Sequence, residues 1–205
     1  MKLLAATVAG LLIGATPAHA SSEPPLVTQL TATASVNVWQ DAQAPSPAAR
    51  PFAQGTWTFQ TYGSAGVFDS DKGEIYTGHI GFGYHFVDDL SVNLEGVGGW
   101  VTPERDDHGG VGGIDLLLRW HYLNRENFSL YIDGGVGFQL ATTNYPSDSH
   151  HNFRPQFGIG GTLRIWESAR LMAGVRWLHI SNAGTTDGND GFDGAQFYGG
   201  VMIPF

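Results

Sequence analysis

Between Glu74 and Phe86 the chain reads Glu-Ile-Tyr-Thr-Gly-His-Ile-Gly-Phe-Gly-Tyr-His-Phe. Tyr76, Ile80, Phe82, Tyr84 and Phe86 share one parity, and Thr77, His79, Gly81, Gly83 and His85 share the other. Successive side chains of a strand point to opposite faces, so this stretch has one apolar face and one small or polar face. Alternation sustained over this length is the mark of a membrane-crossing β-strand rather than a helix.

The same pattern recurs in eight segments: 56–68, 74–86, 89–101, 111–123, 127–141, 153–166, 169–181 and 192–205. In the third, Leu90, Val92, Leu94 and Trp100 oppose Ser91, Asn93 and Glu95. The fourth sets Ile114, Leu116, Leu118, Trp120 and Tyr122 against Asp115, Arg119 and His121. The fifth sets Phe128, Leu130, Ile132, Val136 and Phe138 against Tyr131, Asp133 and Gln139. In the sixth, Phe157, Ile159, Leu163 and Ile165 oppose Arg154, Gln156, Thr162 and Arg164.

A soluble sandwich also alternates, but its polar face meets water. Here the polar faces carry both acids and bases (Glu95, Asp115, Asp133, Arg119, Arg164 and Arg176), and the apolar faces end in Trp57, Trp100, Trp120, Tyr122 and Trp177. That combination predicts an ionic network inside a small barrel and an aromatic girdle facing lipid. The fold class expected is therefore all-β: an eight-stranded antiparallel transmembrane barrel of the bacterial outer membrane. Side chains fill a barrel of eight strands, which excludes a wide channel and assigns the ionic residues to lumen packing.

Composition agrees. Only 14% of the 205 residues are charged, 29 are Gly, and aromatics reach 12%. The absence of Cys excludes a disulfide scaffold and a thiolate metal site. A net charge of −9 gives no footprint for a nucleic-acid partner. Met1 to Ala20 has a basic Lys2, an apolar run to Ala15 and Ala18-His19-Ala20 as a cleavage site, so residues 1–20 read as a signal peptide. Residues 21–55 read as an N-terminal extension, with the Pro- and Ala-rich stretch Ala42 to Pro51 as a linker or loop. The barrel then occupies 56–205, ending on Phe205, a terminal aromatic like the assembly signal of outer-membrane barrels.

Short joins at Val87-Asp88, 124–126 and 166–168 mark the periplasmic end, and longer joins at 102–110, 142–152 and 182–191 the outer end. The join at 69–73 is short for an external loop. The seventh segment therefore finishes at the extracellular side with His179-Ile180-Ser181-Asn182-Ala183-Gly184. His179 and Ser181 share the outward parity of Leu171, Ala173, Val175 and Trp177. Asp193 opens the next strand on the parity of Phe197 and Val201, and the return loop brings it beside His179 and Ser181. Ser, His and an acid make a nucleophile, a base and an orienter. The same spacing also fits an interfacial rim whose His and Ser meet lipid headgroups.

The stretch from Asn152-Phe153 through Pro155-Gln156-Phe157-Gly158-Ile159-Gly160 to Gly174-Val175-Arg176-Trp177-Leu178-His179-Ile180-Ser181-Asn182-Ala183-Gly184, then Asn189-x-Gly191, resembles the lipid A 3-O-deacylase family of PagL-like acyloxyacyl hydrolases. The resemblance implies an outer-membrane esterase that removes the ester-linked acyl chain at position 3 of lipid A through a membrane-facing triad. By that resemblance Ser181 is the nucleophile, His179 the base and Asp193 the acid. The family's usual acid is Glu, so Asp193 is a departure and must approach closer by one methylene. Asn189, Asn182 and Gly184 are implied in holding the oxyanion or positioning substrate. Turn chemistry alone also accounts for Asn189 and Gly191.

The chemistry calls for no cofactor and no metal. Asp187-x-Asn189-x-Gly191-x-Asp193 has the spacing of a calcium loop but lacks its remaining ligands and terminal Glu. Adjacent His150 and His151 would point opposite ways on a strand, and His108 reads as a solvated loop residue. The implied partner is lipid A, or lipopolysaccharide, in the outer leaflet, with a homodimer left open. The competing readings are a structural or adhesive barrel and an acyl transferase that passes the chain to another lipid.

Overall fold

The computed structural model describes residues 50–68, 73–102, 108–145, 149–186 and 191–205. The expected signal peptide, most of the 21–55 extension, and Asp187 and Asn189 lie outside the described residues. The regular elements are all strands: β1 (Trp57–Phe68), β2 (Glu74–Val87), β3 (Leu90–Thr102), β4 (Gly109–Asn124), β5 (Phe128–Ala141), β6 (His151–Phe153), β7 (Gln156–Arg164), β8 (Arg170–Ile180) and β9 (Phe192–Pro204).

β6 and β7 are two pieces of one barrel strand, since both pair antiparallel with β5. The break falls at Arg154-Pro155, where Pro has no N–H for the ladder. The backbone stays satisfied: Arg154 N donates to Gly137 O at 2.9 Å, and Pro155 O accepts from His179 N at 3.0 Å. The eight barrel strands match the expected segments to within a residue or two, apart from this interruption of the sixth. Pairing of β1 with β9 and of β4 with β5 closes the sheet.

The register fixes the shape. Directly paired residues run from Leu130 through Gly161, Ala173, Gly199, Gly63, Gly78, Gly98 and Gly112. The row then returns to β5 at Leu140 rather than Leu130. That offset along β5 is the stagger of the closed barrel, and with eight strands it tilts them by roughly 40°. The row is itself a spiral of small residues on the outer wall.

Exposure is inverted relative to a soluble protein. Leu116 is 52% exposed and Ile159 56%, while Arg119, Asp133 and Arg176 are 0–1% exposed. Outward Trp57, Trp120 and Tyr122 lie towards the short-turn end, and Tyr76, Trp100 and Trp177 towards the other, giving two aromatic belts. Ile132 and Val175 also face outward but are half-buried by neighbours. Arg164, expected in the lumen, instead sits half-buried near the periplasmic rim, where it donates to Glu126 Oε1 at 3.0 Å. It is the last residue of β7, so its long side chain reaches the exposed turn carboxylate.

The lumen is stacked in layers. At its centre Asp133 accepts from Arg119 Nη2 at 2.7 Å and from Arg176 Nη2 at 2.8 Å. Gln60 bridges Arg119 to Glu95, at 2.6 and 2.7 Å, and the Tyr62 hydroxyl also donates to Glu95. Tyr131 and Tyr198 meet hydroxyl to hydroxyl at 2.9 Å. Gly174 makes room for them: a Cβ there would stand 2.3 Å from Tyr198 Oη. The outer end is an apolar cap that includes Phe68, Ile75, Tyr145, Leu178, Ile180 and Phe192.

At the periplasmic end Phe52 enters the mouth and stacks on His121, with centroids 3.7 Å apart, while the Arg170 guanidinium lies over the Phe52 ring, 5.4 Å from its centroid. Phe52 is fully buried, and its carbonyl accepts from Asp89 N at 2.7 Å. Asp89 takes a φ of 65°, which Asp tolerates in tight turns.

Candidate active site

β8 and β9 are antiparallel neighbours, and their last outward rung pairs His179 with Asp193. The next rung, Ile180 with Phe192, faces the lumen and closes the ladder before the chain leaves as the 181–191 loop. Alternation therefore puts the imidazole and the carboxylate on the outer wall and the apolar pair behind them. His179 Nδ1 lies 3.0 Å from Asp193 Oδ1, with both side chains reachable from outside at 27% and 54% exposure. This carboxylate contact favours the tautomer with its proton on Nδ1, leaving Nε2 as the acceptor.

Two further residues flank the ring. Trp177, two residues back on the same face, stacks on His179 with centroids 5.9 Å apart and planes inclined by 22°. Gly191 closes the far edge: a Cβ built there would stand 2.5 Å from His179 Cε1, 2.9 Å from Nε2 and 3.3 Å from Ser181 Cβ. Residue 191 thus sits where the imidazole edge and the serine face each other, and only Gly leaves that space open.

Ser181 lies just past the end of β8, in a bridge to Phe153. Two backbone bonds hold it, Ser181 N to Phe153 O at 3.1 Å and Phe153 N to Ser181 O at 2.8 Å. Ser181 keeps the outward parity but is only 8% exposed, more covered than a strand-end residue on a lipid-facing row is expected to be. Among the described residues no hydrogen bond joins Ser181 Oγ to His179.

The Asn182 and Gly184 positions serve the loop. Asn182 Nδ2 donates to Thr186 Oγ1 at 2.6 Å, and its Oδ1 accepts from Gly184 N at 2.8 Å. Ala183 and Gly184 both take positive φ, 53° and 75°, so the chain turns sharply there. In this resting geometry the Asn182 amide and the Gly184 N–H are engaged within the turn.

Among the described residues, atoms of His79, Glu95 and Asp115, in the lumen, lie within 4.8 Å of one another, close enough to hold an ion. Guanidinium groups already supply positive charge there, Arg119 and Arg176 at 3.9 and 3.8 Å from Glu95 and Arg154 at 3.9 Å from Asp115.

A family model described as lipid A 3-O-deacylase (PagL) matches residues 31–201. The chain belongs to the lipid A 3-O-deacylase family. No curated protein sequence matches it. Among solved structures, the outer membrane enzyme PagL aligns at a TM-score of 0.59 and 16% identity, covering 71% of this chain and 99% of that one. Neisserial surface protein A aligns at 0.56 and 12%, covering 73% and 96%, and OprG from Pseudomonas aeruginosa at 0.51 and 14%, covering 77% and 99%. At such identities the structural likeness speaks for the fold, an outer-membrane β-barrel, and the family match carries the deacylase assignment. That match starts at residue 31, upstream of β1, and so takes in part of the N-terminal extension.

Proposed function

We propose that this chain is a serine esterase that removes the ester-linked acyl chain at position 3 of lipid A from within the outer leaflet. The observation carrying this reading is the outward rung of His179 and Asp193 beside Ser181 in a member of the deacylase family. Ser181 Oγ attacks the acyl carbonyl while His179 Nε2 takes the hydroxyl proton. Asp193 holds the Nδ1 proton and stabilises the imidazolium. The tetrahedral intermediate collapses, the acyl C–O bond breaks, and His179 returns the proton to the departing sugar hydroxyl. Water then enters by the same base, releasing a free fatty acid and restoring Ser181.

A shallow apolar depression on the same wall, lined by Ile159, Gly161, Ala173, Val175 and Phe197 and reaching Tyr122 towards the short-turn end, is in keeping with a lipid substrate. Val175 lies four residues from His179 on the same face, about 13 Å along the strand, a span on the scale of an acyl chain. All three reacting groups come from one chain, so the set is complete without a second copy. Asn189, outside the described residues, remains the candidate oxyanion donor on the strength of the resemblance. The test is mass spectrometry of lipid A from cells making the wild-type protein or Ser181→Ala. Loss of one 3-position acyl chain only with the wild type is expected. An unchanged acyl pattern with both would overturn the reading.

A further inference from the structure

The catalytic rung is backed by aromatic rings inside the lumen. Phe192, next to Asp193, points inward and packs on the apolar cap. Its ring meets Tyr145 edge-on, centroids 5.2 Å apart at 90°, and Phe68 at 6.0 Å. Tyr145 and Phe68 also meet, at 6.2 Å. Tyr145 comes from the loop between β5 and β6, and Phe68 ends β1, so two distant parts of the chain converge on Phe192.

We infer that Phe68, Tyr145 and Phe192 form a clamp that positions Asp193 and Gly191 from behind, so that residues with no access to lipid set the rate of the reaction. This inference rests on the triad reading above. The physical reason is where the ladder stops. Ile180 with Phe192 is the last rung, and the ends of a ladder open locally unless side chains tie them down. Asp193 is the second residue of β9, one step inside that end. If Phe192 leaves the cap, the first turn of β9 lifts from β8. Asp193 then loses its 3.0 Å contact, and Gly191 leaves its place between His179 and Ser181. The clamp is apolar in character: Tyr145 is 1% exposed, its hydroxyl has no hydrogen-bond partner among the described residues, and burial pushes its ionisation well above the ordinary phenol range.

The test compares Tyr145→Ala and Phe192→Ala with wild type in lipid vesicles containing lipid A. Assembly is followed by the shift between heated and unheated protein on gels, and nucleophile competence by the rate of Ser181 labelling with a fluorophosphonate. For both variants kcat and the labelling rate should fall about ten- to a hundredfold, the penalty of an ångström-scale misplacement, with KM little changed because the lipid-facing wall is intact. Tyr145→Phe should restore the rate lost in Tyr145→Ala. Phe52→Ala, which removes an equally buried ring from the opposite end of the lumen, should leave kcat unaltered. If assembled Tyr145→Ala and Phe192→Ala keep wild-type kcat and labelling, or if Phe52→Ala loses as much as they do, the clamp is wrong while the triad stands. If Ser181→Ala still deacylates, the triad reading itself fails.

Discussion

His179 and Asp193 are directly opposed across the β8–β9 ladder, and their side chains meet at 3.0 Å from Nδ1 to Oδ1. The backbone pairing delivers the contact, so the shorter Asp reaches the imidazole where the family more often has Glu. Asp193→Asn keeps the ladder but offers an amide that can present N–H as readily as oxygen, which mis-sets the tautomer. Deacylation should fall by up to about 10⁴-fold in kcat with assembly unchanged, read by single-turnover release of fatty acid. Wild-type kcat in Asp193→Asn would place the acid elsewhere. Asp193→Glu should retain measurable turnover.

Ser181→Ala should remove fluorophosphonate labelling and all deacylation. The barrel should assemble as before, because Ser181 is held through its backbone bonds to Phe153. Persisting labelling would point to another nucleophile.

Gly191→Ala tests the space between His179 and Ser181, the proposed base and nucleophile. Its added methyl would stand 2.5 Å from His179 Cε1, so the ring must swing away from Ser181 or the loop must move. We expect kcat to drop about ten- to a hundredfold with little change in KM. An unaltered kcat would show that the loop relaxes freely.

In the lumen, Asp133 accepts from both Arg119 and Arg176. Asp133→Ala leaves two buried guanidinium groups short of a counter-charge. It should destabilise the barrel by about 3–5 kcal/mol, measured by denaturant unfolding in vesicles. A change under about 1 kcal/mol would mean that water or Glu95 compensates.

The strands were legible because membrane-crossing alternation is a property of single residues in order. Tyr76 to Phe86 and Ile114 to Tyr122 needed no knowledge of their neighbours. The outward rung at 179 and 193 was legible for the same reason, since parity alone sets the face. What parity could not reveal was packing between distant parts. Phe52 lies just beyond a Pro- and Ala-rich stretch that reads as a linker, yet it fills the periplasmic mouth. Tyr145 sits in a loop between two runs of polar residues, yet it belongs to the outer cap. Gly191 returns beside His179 and Ser181, a proximity that no local pattern encodes. Arg164 shared the parity of lumen residues, but its place at the strand end decided its partner.

If the outer wall that carries His179 and Asp193 is where lipid A meets them, as proposed, the reaction has a kinetic consequence. Enzyme and substrate then meet in two dimensions, and the variable that governs saturation is the mole fraction of lipid A in the leaflet. Adding buffer to a vesicle suspension should leave the turnover of each enzyme untouched. Adding inert phospholipid to the same bilayer should slow it. An esterase seated this way responds to the composition of its own membrane and is indifferent to the volume around it.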